Sequence, residues 1–104
     1  MAIKEMLREE LDNSRRMERD YNAAIAKLPK GSLIKKRIRG HEYYYLVFRE
    51  NGKVRFAYKG KLNKKEIRKH QEDKAYRNKY RLLLVEIHKQ IRFLERVLRA
   101  KQAV

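Results

Sequence analysis

Lysines and arginines alternate with aromatic residues between positions 33 and 59, and the chemistry this pattern could do is recognition of a polyanion. Lys35, Arg37 and Arg39 recur at every second position, and Lys53, Arg55 and Lys59 keep the same alternation. Side chains two apart on a strand share a face. Tyr44 and Phe48 fall on that face between the basic runs. Guanidinium and ammonium groups hold phosphate oxygens, and aromatic rings stack on bases or wedge against sugars. Lys64, Lys65, Arg68 and Lys69 extend the basic track. A basic sheet face with aromatics suits single strands or RNA. A three-stranded sheet in a major groove is an equal alternative.

The balance of charge agrees. The chain has 104 residues, with 29 Lys and Arg against 13 Asp and Glu, a net of +16. That excess favours DNA, RNA or an acidic protein surface as partner. Other chemistry is poorly supplied. Without cysteine there is no disulfide framework and no thiolate metal site. His41, His70 and His88 lack ligand spacing and read as surface residues, so neither metal nor cofactor is expected. Ser14 and Ser32 sit in no nucleophile motif. No carboxylate pair stands in apolar surroundings. Gly31, Gly40, Gly52 and Gly60 mark turns rather than a phosphate-cradling loop. The inventory points away from an enzyme. Residues 1–11 carry Glu5, Glu9 and Glu10 among their apolar positions, unlike a signal peptide. The longest apolar run, residues 82–85, is too short to span a bilayer. A cytoplasmic protein with no membrane partner is expected.

The elements that must position these residues form one small domain, residues 1–104. Residues 2–28 read as a helix with a seam of Ile3, Leu7, Met17, Tyr21, Ala24 and Leu28, interrupted by Glu10 and Ser14. Its six basic and six acidic residues cancel, which marks it as scaffold. Pro29 and Gly31 end it. Residues 31–60 read as a three-stranded antiparallel sheet. Asn51-Gly52 predicts a type I′ hairpin pairing Glu50 with Lys53, Phe48 with Arg55, Val47 with Phe56 and Tyr45 with Tyr58. Arg39-Gly40-His41-Glu42 predicts a second two-residue turn, type II′ with Gly40 first, setting Ile38 opposite Tyr43, Ile34 opposite Val47 and Leu33 opposite Phe48.

One sheet face then gathers Ile34, Ile38, Tyr43, Tyr45, Val47, Val54, Phe56 and Tyr58, interrupted by Lys36 and Arg49, and is expected to be core. The other carries the basic and aromatic residues named first, with Leu33, Leu46 and Ala57, and is expected to face solvent. Residues 29–62 hold ten basic and two acidic residues. Asn63 and Glu66 form a near capping box, opening a second helix over 63–100 with twelve basic and five acidic residues. Tyr80, Leu84, Ile87, Ile91, Leu94 and Leu98 make a 4-3 stripe expected to pack on the first helix. Leu82, Phe93 and Val97 lie on the opposite side, for contact with the sheet or with another subunit in a homodimer. The cations of the first turns oppose the helix dipole unless an anion lies there. The expected fold is α+β: long helix, three antiparallel strands, long helix (αβββα), with the helices packed together and on the Val47–Phe56 sheet face.

Gly31-Ser32-Leu33, Tyr43-Tyr44-Tyr45-Leu46, Arg49…Gly52-Lys53 and Tyr58 give the chain a pattern that resembles a family of short uncharacterised bacterial and archaeal proteins. The resemblance covers the organisation from Leu28 onward and implies the helix, sheet and long basic helix above, with no settled activity. Many of those relatives carry a cysteine-containing insert before the tyrosine strand, which this sequence lacks. A looser similarity, in strand order and basic composition, is to the arm-binding domains of tyrosine integrases and the opening hairpins of some transposases. Those set a small sheet against DNA with a helix behind it.

Two functions from different classes are expected. One is a small nucleic-acid-binding protein linked to a mobile element or defence system. The other is a protein-binding inhibitor or accessory factor, nuclease-inhibitor-like or antitoxin-like, seated in an acidic or nucleic-acid-binding groove of a partner through the second helix. Phosphate binding weakens steeply with salt, whereas a protein contact of the second kind survives it.

Overall fold

The computed structural model describes residues 2–102. The chain forms α1 (Ile3–Lys27), β1 (Ser32–Ile38), β2 (His41–Glu50), β3 (Lys53–Gly60) and α2 (Lys64–Gln102). The strands make one antiparallel sheet in the order β1-β2-β3. With helix packed on helix and helix on sheet, this is the expected αβββα arrangement of the α+β class. Among the described residues no helix is long and apolar enough to cross a membrane. Two compact units form: α1 with α2 from Asn78 onward, and Leu28–Arg77.

In the first unit the stripe of α2 is buried as its spacing predicts. Ile87, Ile91, Leu94 and Leu98 surround Leu11 of α1, with Leu7, Tyr21 and Leu84 packed against them. The seam of α1 differs from the expectation. Ile3 and Met17 are exposed, whereas Leu11 is buried and Ser14 is wholly buried. The 4-3 spacing runs Leu7, Leu11, Ser14, Glu18, Tyr21, straight through the polar residues. Each has a partner. The Ser14 hydroxyl donates to the Glu10 carbonyl at 2.8 Å and accepts from the Gln90 amide at 2.8 Å. The Glu18 carboxylate meets His88 Nε2 at 2.8 Å. A buried polar group with its hydrogen bonds made is a contact and not a break in the seam.

The second unit opens and closes on local signals. The Glu66 N–H donates to Asn63 Oδ1 at 2.8 Å and the Asn63 N–H donates to Glu66 Oε1 at 3.3 Å, which completes the capping box at the start of α2. The β2–β3 hairpin has the expected register, Glu50 opposite Lys53 through Tyr45 opposite Tyr58. Asn51 and Gly52 take φ of 52° and 77°, as a type I′ turn requires. Beyond Tyr45 a bulge shifts the ladder, so that Tyr44 faces Gly60.

The β1–β2 register departs from the expectation by two residues. Ile38 pairs with His41, Ile34 with Tyr45 and Leu33 with Leu46. The turn is Arg39-Gly40, at φ of 51° and 79°, and not Gly40-His41. A shift of two keeps every side chain on its face. It also places a non-glycine residue, Arg39, in the left-handed region, which costs about 1 kcal/mol. Arg39→Asn should therefore stabilise the fold by up to about 1 kcal/mol, because Asn tolerates that region. A thermal melt a few degrees above wild type would bear this out, and an equal or lower melt would place the turn elsewhere.

Candidate nucleic-acid interface

Which sheet face is covered follows from α2. Arg77 is 5% exposed. Its guanidinium donates to the Pro29 carbonyl and, at 2.6 Å, to the Gly31 carbonyl. Asp73, one turn earlier, is buried too and accepts from Lys69 Nζ at 2.8 Å. That hydrogen bond, and then the charge of Asp73, holds the Lys69 pKa above its ordinary value. Gly31 lies against the sheet: a Cβ there would stand 2.9 Å from Leu46 Cγ, and its φ of 109° suits glycine. Ile67, His70, Gln71 and Lys74 of α2 line a groove with Leu33, Lys35 and Tyr44. So α2 covers the face of Leu33 and Tyr44.

This reverses the expected placement. The presumed core face is the open one, and the presumed solvent face meets α2. The reason is where the apolar residues lie along the covered face. Leu33, Leu46 and Ala57 form one row across the three strands, and each is half-buried, as are Tyr44 and Phe48. Lys35, Arg37, Lys53 and Arg55 are exposed. Long basic side chains can lay their stems on apolar neighbours and keep the charge in water.

On the open face Phe56 and Tyr58 are 65% and 61% exposed, and Ile34, Ile38 and Val54 are exposed beside them. Tyr43, Tyr45 and Val47, on the central strand, are half-buried. The tyrosine and histidine rings adjoin one another across β2 and β3. Tyr58 lies 5.3 Å from Tyr45 and 6.3 Å from Tyr43, centroid to centroid, and His41 lies 6.4 Å from Tyr43. Lys61 Nζ stands 5.9 Å from the Tyr43 ring. Lys36 pairs with Tyr43 and Arg49 with Val54, so both rise from this face, and both are exposed. Glu42 and Glu50, the two acidic residues of the segment, alternate onto the covered face. The open face therefore carries cations and no carboxylate.

Of the basic residues singled out in the sequence, Lys35, Arg37, Arg39, Lys53, Arg55 and Lys59 are exposed around the sheet, and Lys64, Lys65, Arg68 and Lys69 on the first turns of α2. Lys35 pairs with Glu42 at 3.4 Å and Lys69 with Asp73. Arg37 lies opposite Glu42 and Lys53 opposite Glu50. Tyr44 and Phe48 are not free platforms, since both belong to the covered face. Tyr43, Tyr45, Phe56, Tyr58, Lys36, Arg49 and Lys61 were absent from the expected interface because their apolar company reads as core. Leu82 and Phe93 on α2 are exposed, at 69% and 53%, and Val97 is half-buried.

An open, cationic sheet face backed by a helix is the main surface feature of this small basic α+β protein. The chain belongs to a family described as a domain of unknown function, DUF6788, whose model matches residues 4–80. That span takes in α1, the whole sheet and α2 as far as Tyr80. No curated protein and no solved structure matches the chain.

The two faces differ in what they contribute to stability. Arg77→Ala should cost about 1–3 kcal/mol, since it leaves two carbonyls without their charged donor. Phe56→Ala should change stability by about 0.5 kcal/mol or less, as at other surface positions. Urea melts compare them, and a large loss for Phe56→Ala would return that ring to a core.

Proposed function

We propose that this is a small nucleic-acid-binding protein and that its contact surface is the open face of the sheet. The observation that carries the reading is a broad exposed platform of tyrosine, phenylalanine and aliphatic side chains, bearing lysine and arginine but no carboxylate, in the most basic segment of the chain. Exposed apolar patches of this size mark interaction sites. An excess of cations over such a patch selects a polyanion. Arg37, Arg39, Lys53, Arg55 and Lys59 add charge around the sheet, and Lys64, Lys65 and Arg68 near the start of α2. A sheet with a helix behind it also parallels the integrase arm-binding arrangement. In this reading the protein serves a mobile element or defence system in the cytoplasm of a bacterium or archaeon.

Lys36→Gln with Arg49→Gln tests the face. The double variant should weaken binding to all sequences and flatten its salt dependence, by about 0.9 per lost phosphate contact on duplex DNA or about 0.7 on single strands. Arg37→Gln with Arg55→Gln is the comparison. If only the second pair alters the slope, the contact lies on the α2 side of the sheet. If wild type binds neither DNA nor RNA at low salt, the reading fails.

A protein partner is the second reading, and the exposed Leu82 and Phe93 favour it. They would serve a homodimer through α2 or an inhibitor-like contact with another protein. Light scattering at micromolar concentration should then give a dimer that Phe93→Glu dissociates. A wild-type monomer at high concentration removes the dimer.

A further inference from the structure

We infer that the occupant of the open face is a single-stranded nucleic acid whose bases stack on Tyr43, Tyr45, Phe56 and Tyr58. The inference rests on the nucleic-acid reading above and names the ligand of that same site. Three observations carry it.

The first is the exposure of the rings. Tyr58 and Phe56 present most of their surface to solvent, and exposed aromatic surface is where an unpaired base can stack. In a duplex the base faces are occupied by their neighbours and only edges reach the grooves. A single strand can splay its bases and lay them on aromatic side chains.

The second is spacing. Tyr43 and Tyr45 are two apart on β2, as Phe56 and Tyr58 are on β3. Rings two apart on a strand are separated by roughly 6.8 Å along it. Bases stacked in B-form rise about 3.4 Å per strand, so consecutive duplex bases cannot each meet a ring. An extended strand with unstacked bases can.

The third is the placement of charge. Lys36, Arg49 and Lys61 rise among or beside the rings, within reach of the phosphates that link splayed bases, and none takes part in an ion pair formed by the described residues. Lys61 lies over the Tyr43 ring, a position from which it can contact a phosphate beside a stacked base. The same face has no carboxylate to repel the strand.

The test is fluorescence anisotropy on the full chain at one fixed salt concentration. Three probes share a sequence of about twelve nucleotides: single-stranded RNA, single-stranded DNA, and that DNA annealed to its complement. Wild type should bind at least one single strand more tightly than the duplex. Tyr58→Ala and Phe56→Ala should each weaken single-strand binding by about 5- to 150-fold, the effect of losing one base–aromatic stack, with the duplex affinity nearly unchanged. Phe56→Ala should melt like wild type and Tyr58→Ala only slightly lower, through loss of its cross-strand contact with Tyr45, and the melts show that a loss of binding is not a loss of fold. A duplex bound more tightly than either single strand overturns the inference and leaves the nucleic-acid reading standing. Single-strand binding that both variants leave unchanged also overturns it. Failure of wild type to bind any of the three removes the reading beneath it as well. Preference between the two single strands identifies whether RNA or DNA is the natural occupant.

Discussion

The buried guanidinium of Arg77, holding the carbonyls of Pro29 and Gly31, is the contact on which the sheet depends. A charge taken out of water must be met by hydrogen bonds in good geometry. Arginine's planar fork can meet two carbonyls at once, where a lysine would present a point charge. The segment that leads into β1 is thereby tied to the side of α2. Leu33 then enters the groove beside Ile67, and strand alternation does the rest. Every residue of Leu33's parity turns toward the helix, and every residue of Ile34's parity turns away. One helix can cover one face, so Phe56, Tyr58 and their neighbours stay in solvent as a consequence of how β1 begins.

An open apolar sheet face is a hazard as well as an opportunity, because it and the sheet's two edges invite association. The sequence limits the hazard with charge. Lys36 and Arg49 interrupt the open face, and Lys35, Arg37, Lys53, Arg55 and Lys59 line the edge strands β1 and β3. Cations in those positions discourage a second sheet from docking or pairing. They attract a polyanion through the same charge, so resistance to self-association and affinity for phosphate come from one set of residues.

Much of this was legible in the sequence where the signal was local. Asn51-Gly52 fixed one hairpin, Asn63 and Glu66 marked the start of α2, and the stripe from Tyr80 to Leu98 marked its buried side. The first hairpin was less determined. Gly40 can stand first or second in a two-residue turn, and the alternatives differ by two residues without moving a side chain between faces. The choice of covered face was not legible from counts of apolar residues, which favour the wrong side. It depended on a row, Leu33, Leu46 and Ala57, that exists only once the strands are paired. Arg77 was hidden among 29 basic residues. A signal was present all the same: Asp73 and Arg77 continue the 4-3 spacing of Tyr80 and Leu84 toward the start of α2, where a solvated charge would have no reason to keep the period. Ser14 and Glu18 keep it in α1 in the same way, and both are partnered.

Nuclear magnetic resonance of the labelled protein, titrated with a short single-stranded oligonucleotide, tests the central claim most directly, because it reports each face of the sheet separately. The account predicts ring-current shifts concentrated on Tyr43, Tyr45, Val54, Phe56 and Tyr58, with Leu33, Leu46 and Ala57 little changed. Shifts confined to Leu33, Tyr44 and the first turns of α2, with the open face silent, would contradict it.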